Sequence, residues 1–293
     1  MRIPKSLLIY GMTALLGILA TGCHPLDLPD EGQEEGKEQE QPPVQDPPGE
    51  AGPFETAAEA VLNMGAGWNL GNTLDSNSNE LDNMWIEAWT KRTPADYETA
   101  WGQPQATRAL IHMFKEAGFG AIRVPVTWYP HIGTITLHDQ TKWDRSTWTG
   151  TDVDPAWMAR VKEVVDYVID EGMYCILNVH HDTGAASAAW LVAGEQEFEA
   201  AKGRYKALWQ QIADTFKDYG EKLWFESYNE MLDPYDSWCF ASFNVQPARY
   251  DAAVAASAYK GINSYAKLFV ETVRATGGHN AERNLVVNTY GGC

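Results

Sequence analysis

Positive charge is scarce in this chain. Its 293 residues carry 22 Lys and Arg against 40 Asp and Glu, a formal net charge of −18 at pH 7. Such a chain offers no basic face, which argues against nucleic acid as a partner. Cysteine is scarcer still. The four are Cys23, Cys175, Cys239 and Cys293, and their spacings match no metal motif. Cys175 lies in an apolar strand-like run and reads as a small buried hydrophobe, so no disulfide framework is expected. A phosphate-binding loop is also missing. Gly65-Ala66-Gly67 lies in or before a strand rather than between strand and helix, which disfavours a nucleotide-dependent α/β enzyme. The one long apolar run, residues 7–20, is too short for a comfortable membrane span.

That run belongs to a targeting segment. Arg2 and Lys5 precede it, and Leu19-Ala20-Thr21-Gly22-Cys23 follows. The arrangement resembles a bacterial lipoprotein signal. The resemblance implies a signal peptide over residues 1–22, lipidation of Cys23, and a cell-surface or periplasmic protein anchored to the outer membrane. Membrane contact is expected through that lipid alone. Residues 23–53 are Glu, Gln, Pro and Gly with almost no large apolar side chain. Such a segment cannot bury enough surface to offset its ordering entropy, so it reads as a disordered acidic tether. Between residues 27 and 59 there are eleven acids against Lys37 alone, so this stretch supplies 11 − 1 = 10 of the 18 negative charges.

From residue 54 onward strand-like runs alternate with helical ones. Strands are expected over residues 64–69, 121–126, 174–179, 223–228 and 285–288. Helices are expected over 103–117, after Asp154-Pro155, over 204–216 and over 254–276. The 154–172 helix carries its apolar stripe on Val161, Val164, Val165, Val168 and Ile169. Strands separated by helices of this length imply parallel pairing through right-handed crossovers. The fold class is α/β, read as a (β/α)8 TIM barrel of which residues 54–293 hold about the first five units.

In such a barrel, chemistry collects at the C-terminal tips of the strands. Every expected tip carries polar groups. The first offers Asn69, Asn72 and Asp75, and the second carries Arg123 in Ile122-Arg123-Val124-Pro125-Val126-Thr127-Trp128. The third ends in Asn178-Val179-His180-His181-Asp182, the fourth in Asn229-Glu230, and the fifth in Asn288-Thr289-Tyr290. An Arg inside an apolar strand needs a carboxylate neighbour. His180 and His181 read either as half-buried histidines or as site residues. A His-His-Asp run lacks the companion spacing of a zinc site. Asp75 and Asp182 read as loop caps. With twelve Trp and thirteen Tyr, stacking on sugar faces is open to Trp128, Trp190 and Trp238, as is a place in the core.

Taken together, residues 68–75, 122–129, 176–182 and 225–230 resemble glycoside hydrolase family 5, the largest cellulase family. The resemblance implies a barrel that cleaves β-linked glycans with retention of configuration, with no cofactor and no metal. Glu230 matches the general acid/base. Asn229 matches the residue that binds the sugar 2-hydroxyl. Arg123 matches the Arg that keeps the nucleophile ionised, and His180 the His that lines the same subsite. His181, Asn69, Asn72, Trp128 and Tyr290 are further expected substrate contacts. The implied substrate is a β-1,4-glucan or related plant polysaccharide, and the full-length protein is expected to be a monomer.

A retaining enzyme needs two carboxyls about 5 Å apart. The family's second is a Glu from a seventh strand, with no match before Cys293. Glu195, Glu197 and Glu199, expected in a loop, and Glu226, on the strand of Glu230, are poor substitutes. A truncated and inactive hydrolase is therefore expected. The alternative is a surface lipoprotein that binds glycan without cutting it.

Overall fold

The computed structural model describes residues 54–238 and 251–292. The signal peptide, the acidic tether, the lipidation site at Cys23, and Cys239 and Cys293 lie outside the described residues.

Five parallel strands form the central sheet: β1 (Gly67–Asn69), β2 (Ala121–Val124), β3 (Tyr174–Asn178), β4 (Leu223–Glu226) and β5 (Leu285–Val286). They stand side by side in chain order. A doubly wound sheet would reverse its order part-way, so the winding is that of a barrel. Period-two alternation assigns the two faces. Ile122, Val124, Cys175, Leu177, Leu223 and Phe225 point outward into a large core shared with the helices. Ala121, Tyr174 and Trp224 point inward and form a second, smaller cluster with Ala60 and Met64. The register sets Asn69, Arg123, Ile176 and Trp224 in one row across the inner face. Asn178 pairs with Glu226 one step higher.

The connecting helices start where the sequence supplies a cap. α1 (Ala57–Met64) begins with a capping box of Thr56 and Glu59, and its Met64 closes the inner cluster. This helix was not legible as such, and β1 consequently starts at Gly67 rather than at residue 64. α2 (Arg108–Glu116) begins later than expected. Thr107 accepts the Leu110 N–H, and the Ala106 N–H is held 2.6 Å from the buried Glu98 carboxylate. α3 (Pro155–Asp170) starts behind Asp154, with Pro at its first position, and buries Val161, Val164, Val165 and Val168. α4 (Glu195–Thr215) begins nine residues before the expected 204. Glu195, Glu197 and Glu199 therefore lie on a helix and not in a loop, where acids complement the N-terminal end of the helix dipole. α5 (Ala252–Ala275) is capped by Asp251.

Two arginines, Arg160 partly and Arg283 fully buried, fix the periphery. Arg160 on α3 forks onto Glu98 at 2.8 and 2.9 Å, pinning the long β1–α2 connection (residues 70–107) to the body. Arg283, fully buried, donates to the carbonyls of Phe216, Tyr219, Gly220 and Leu223 and so ties the end of α4 to β4. Desolvation lowers its pKa to about 10.

Candidate active site

Arg123 is the centre of the polar inner face. Its Nε and Nη2 reach the two carboxylate oxygens of Glu226 at 2.7 and 2.8 Å, a bidentate pair. Nη2 also donates to Asn229 Oδ1 at 2.8 Å, and Nη1 to Asn69 Oδ1 at 2.9 Å. β2 and β4 are not neighbours, since β3 lies between them. The Arg123 side chain spans β3 on the inner face. Asn288 closes the far side of Glu226, its Nδ2 donating to Oε1 at 2.7 Å, while its own carbonyl accepts from the Tyr228 hydroxyl. Four of the five guanidinium N–H groups are thereby used by Glu226, Asn229 and Asn69.

The carboxylate that Arg123 needs is thus Glu226. Glu226 is thereby committed and is no free carboxylate. Glu230, four residues on, makes no hydrogen bond or ion pair among the described residues. It lines an open cleft of ≈ 400 Å³ with Arg123, Glu226, Asn229, Asn288, Thr289 and Gly292. Of the two first-strand asparagines, Asn69 faces inward to Arg123. Asn72 is exposed and takes a positive φ of 60° in the turn after β1, a conformation that Asn tolerates.

The tip of β3 makes an adjacent cluster. Asn178 donates its amide to His180 Nδ1 at 3.0 Å, which leaves the proton on Nε2. Burial, the His181 ring and the Arg123 charge lower the His180 pKa to about 3, so the ring is neutral. His181 Nε2 lies 3.6 Å from Asp75 Oδ2, and the two His rings meet edge to face at 4.5 Å. Burial pushes the Asp75 carboxyl up. The His181 and His180 rings and the backbone N–H groups of Asn72 and Thr73 outweigh it and hold Asp75 below its usual range. One ligand atom from each of Asp75, His180 and His181 falls within 4.8 Å of the others. Because His180 offers N–H rather than a lone pair, this set suits hydroxyl groups better than a metal ion.

Two expected substrate contacts are elsewhere. Trp128 is fully buried and donates its indole N–H to Asn178 O at 3.0 Å, so it is core rather than platform. Tyr290 is also buried. Its hydroxyl accepts from the Asp233 N–H and donates to Ser237 O, holding the β4-tip loop. Trp190 is buried, donating to Asp182, while Trp238 is half-exposed. Asp182 caps the second tip, accepting from the Trp128 and Tyr129 N–H groups at 2.8 Å. Burial raises its pKa to about 6 against those donors.

The model for cellulase (glycosyl hydrolase family 5) matches residues 83–293. An endoglucanase A of Paenibacillus barcinonensis is 34% identical over 233 residues, 79% of this chain and 48% of that protein. Among solved structures, a broad-specificity endoglucanase from an uncultured bacterium is 54% identical with a TM-score of 0.71, covering 81% of this chain and 58% of that one. A family 5 mutant enzyme from Prevotella bryantii B14, in complex with a xyloglucan tetradecasaccharide, is 44% identical with a TM-score of 0.66 and the same coverage. The chain therefore spans about half the length of the curated relative it matches.

Proposed function

The chain belongs to glycosyl hydrolase family 5, and from that premise we propose that it serves an endo-acting, retaining hydrolase of β-1,4-linked glucan or a related plant polysaccharide. The sheet then represents the first five units of a (β/α)8 barrel. The single observation behind this reading is that Glu230, Asn229 and Arg123 border one open cleft at the strand tips. Glu230 is the proton donor. As a nucleophilic carboxylate outside the described residues bonds to the anomeric carbon, the Glu230 carboxyl protonates the leaving glycosidic oxygen; it then takes a proton from the water that displaces that carboxylate. Asn229 is oriented by Arg123, through its Oδ1, with its amide N–H groups left for a sugar hydroxyl. Neutral His180, at the tip of β3, presents Nε2–H. The nucleophilic carboxylate is assigned to none of the described residues, because Glu226 is committed to Arg123 and Asn288.

The test is release of reducing ends from β-glucan. Glu230→Gln is expected to lower the rate about 10²- to 10⁴-fold, the span of a general acid. A rate measurable in the unaltered protein and unchanged in the variant rejects the assignment. The commitment of Glu226 favours one second reading, a chain that binds glucan without cleaving it. Retention on a β-glucan affinity gel with no reducing ends released, and no effect of Glu230→Gln, selects that reading.

We also propose that Cys23 carries a lipid that holds the domain at the cell surface through the acidic tether, on the strength of Leu19-Ala20-Thr21-Gly22-Cys23. Expressed with its leader, the chain should incorporate labelled palmitate and sediment with membranes. Cys23→Ser should do neither, and label retained in that variant disproves the anchor.

A further inference from the structure

Glu230 has a carboxyl without a hydrogen-bond partner among the described residues, yet its backbone is held on both sides. β5 lies parallel to β4, and the chain beyond it follows the β4 tip closely. The Ser227 N–H donates to Val286 O at 2.9 Å. Past Val286 comes Asn288, half-buried. Its two Nδ2–H groups are shared by Glu226 Oε1, the Tyr228 carbonyl and, at 3.4 Å, the Asn229 carbonyl. The Tyr228 hydroxyl returns to the Asn288 carbonyl at 2.7 Å. One residue past Glu230, Met231 O accepts the Gly291 N–H at 3.1 Å.

The turn after β5 also touches the side chain. Gly291 and Gly292 have φ of 62° and 74°, the left-handed region that glycine enters without strain. A Cβ at Gly292 would stand 3.3 Å from Glu230 Cγ, so this turn packs against the stem of the acid. A proton donor works only within hydrogen-bond reach of the leaving oxygen. A Glu side chain with no polar partner is aimed by where its backbone starts and by what its stem touches. Both are set here by the β5 tip.

We infer that Asn288 is a positioning residue for proton donation. Through the Tyr228 and Asn229 carbonyls it fixes the backbone from which Glu230 projects. This role is separate from its bond to Glu226, which acts on Arg123. The inference rests on the hydrolase reading above, and it makes the β5 tip a determinant of how well poor leaving groups are expelled.

The test compares kcat/KM of the full chain on phenyl β-cellobioside and on 2,4-dinitrophenyl β-cellobioside, since this constant counts steps only up to cleavage of the glycosidic bond. Phenolate needs a proton to leave and dinitrophenolate does not, so the phenyl-to-dinitrophenyl ratio reads proton donation. Glu230→Gln should lower that ratio most, and Asn288→Ala should lower it about ten-fold, within what a small misplacement costs. Asn288→Leu, similar in size but without the amide, should match the Ala variant and replaces it where Ala unfolds the chain. Partial unfolding, or damage passed through Glu226 to Arg123, lowers both constants together and leaves the ratio unmoved. A ratio in the folded variant within about two-fold of the unaltered chain's refutes the positioning role while the hydrolase reading stands. If the unaltered chain hydrolyses neither substrate, the hydrolase reading fails and the positioning role falls with it.

Discussion

Arg123 shows what a single residue discloses in sequence and what it conceals. Its need for a carboxylate follows from elementary cost, since an unpaired guanidinium among apolar neighbours is expensive. The identity of the partner does not follow. Glu226 lies 103 positions away and two strands over, and nothing local to either residue announces the pairing. The packing of Trp101 against His181 is hidden for a similar reason. Its neighbour His181 is 80 residues on, and only the folded loop brings them together. Conversely, Trp128 looks like a platform in sequence, but the segment after β2 turns it into the core. The Arg123–Glu226 pair supports a stability prediction. The Glu226 side chain is 6% exposed and that of Arg123 25%. Glu226→Ala leaves the Arg charge without its bidentate partner and Asn288 with only the Tyr228 and Asn229 carbonyls as acceptors. Unfolding in urea should show a loss of about 3 kcal/mol. A loss under about 0.5 kcal/mol, the scale of an exposed pair, would mean that solvent screens this contact.

Elements were legible where one cap and one stripe agreed. α3 has Asp154-Pro155 before it and four buried valines at helical spacing, and it matches the expected span closely. α4 has no side-chain cap at Gly194, so its first nine residues read as loop. The β1–α2 connection was the least legible element. Its 38 residues (107 − 70 + 1) hold two short helices and no dominant period. What orders it is long-range: Glu98 receives Arg160 from α3 and the Ala106 N–H. Glu98→Ala strips both contacts from a side chain with no exposure. Glu163 still holds Arg160 Nη1, so the expected destabilisation is at the low end for a broken buried pair, about 3 kcal/mol. Because the same loop carries Trp101 and Asp75, hydrogen exchange across residues 70–107 should accelerate in this variant. Protection unchanged there would show that the Glu98–Arg160 fork does not order the loop.

For the whole molecule, the strand order was open to sequence because each crossover is a helix long enough to cover a parallel pair. The lower closure of the sheet was not. It depends on α1 and on three residues before it whose bonds reach far along the chain. The Glu55 N–H donates to Glu221 Oε2 at 2.9 Å, the Glu55 carbonyl accepts from Asn284 Nδ2 at 3.2 Å, and its carboxylate accepts from Asn63 Nδ2 at 2.7 Å and from the Tyr174 hydroxyl. Phe54 packs edge-on against His279, and Thr56 caps α1. The first strand's approach, the inner cluster and the β5 approach are thus fastened at one point. A chain starting at residue 54 should unfold at the same temperature as the full chain, since residues 24–53 carry almost no large apolar side chains. One starting at residue 57 loses the cap and four hydrogen bonds, and its midpoint should fall by about 5–10 °C for roughly 3 kcal/mol. Equal midpoints for the two would show that α1 docks without the strap, and the folded unit would then begin at Ala57 rather than Phe54.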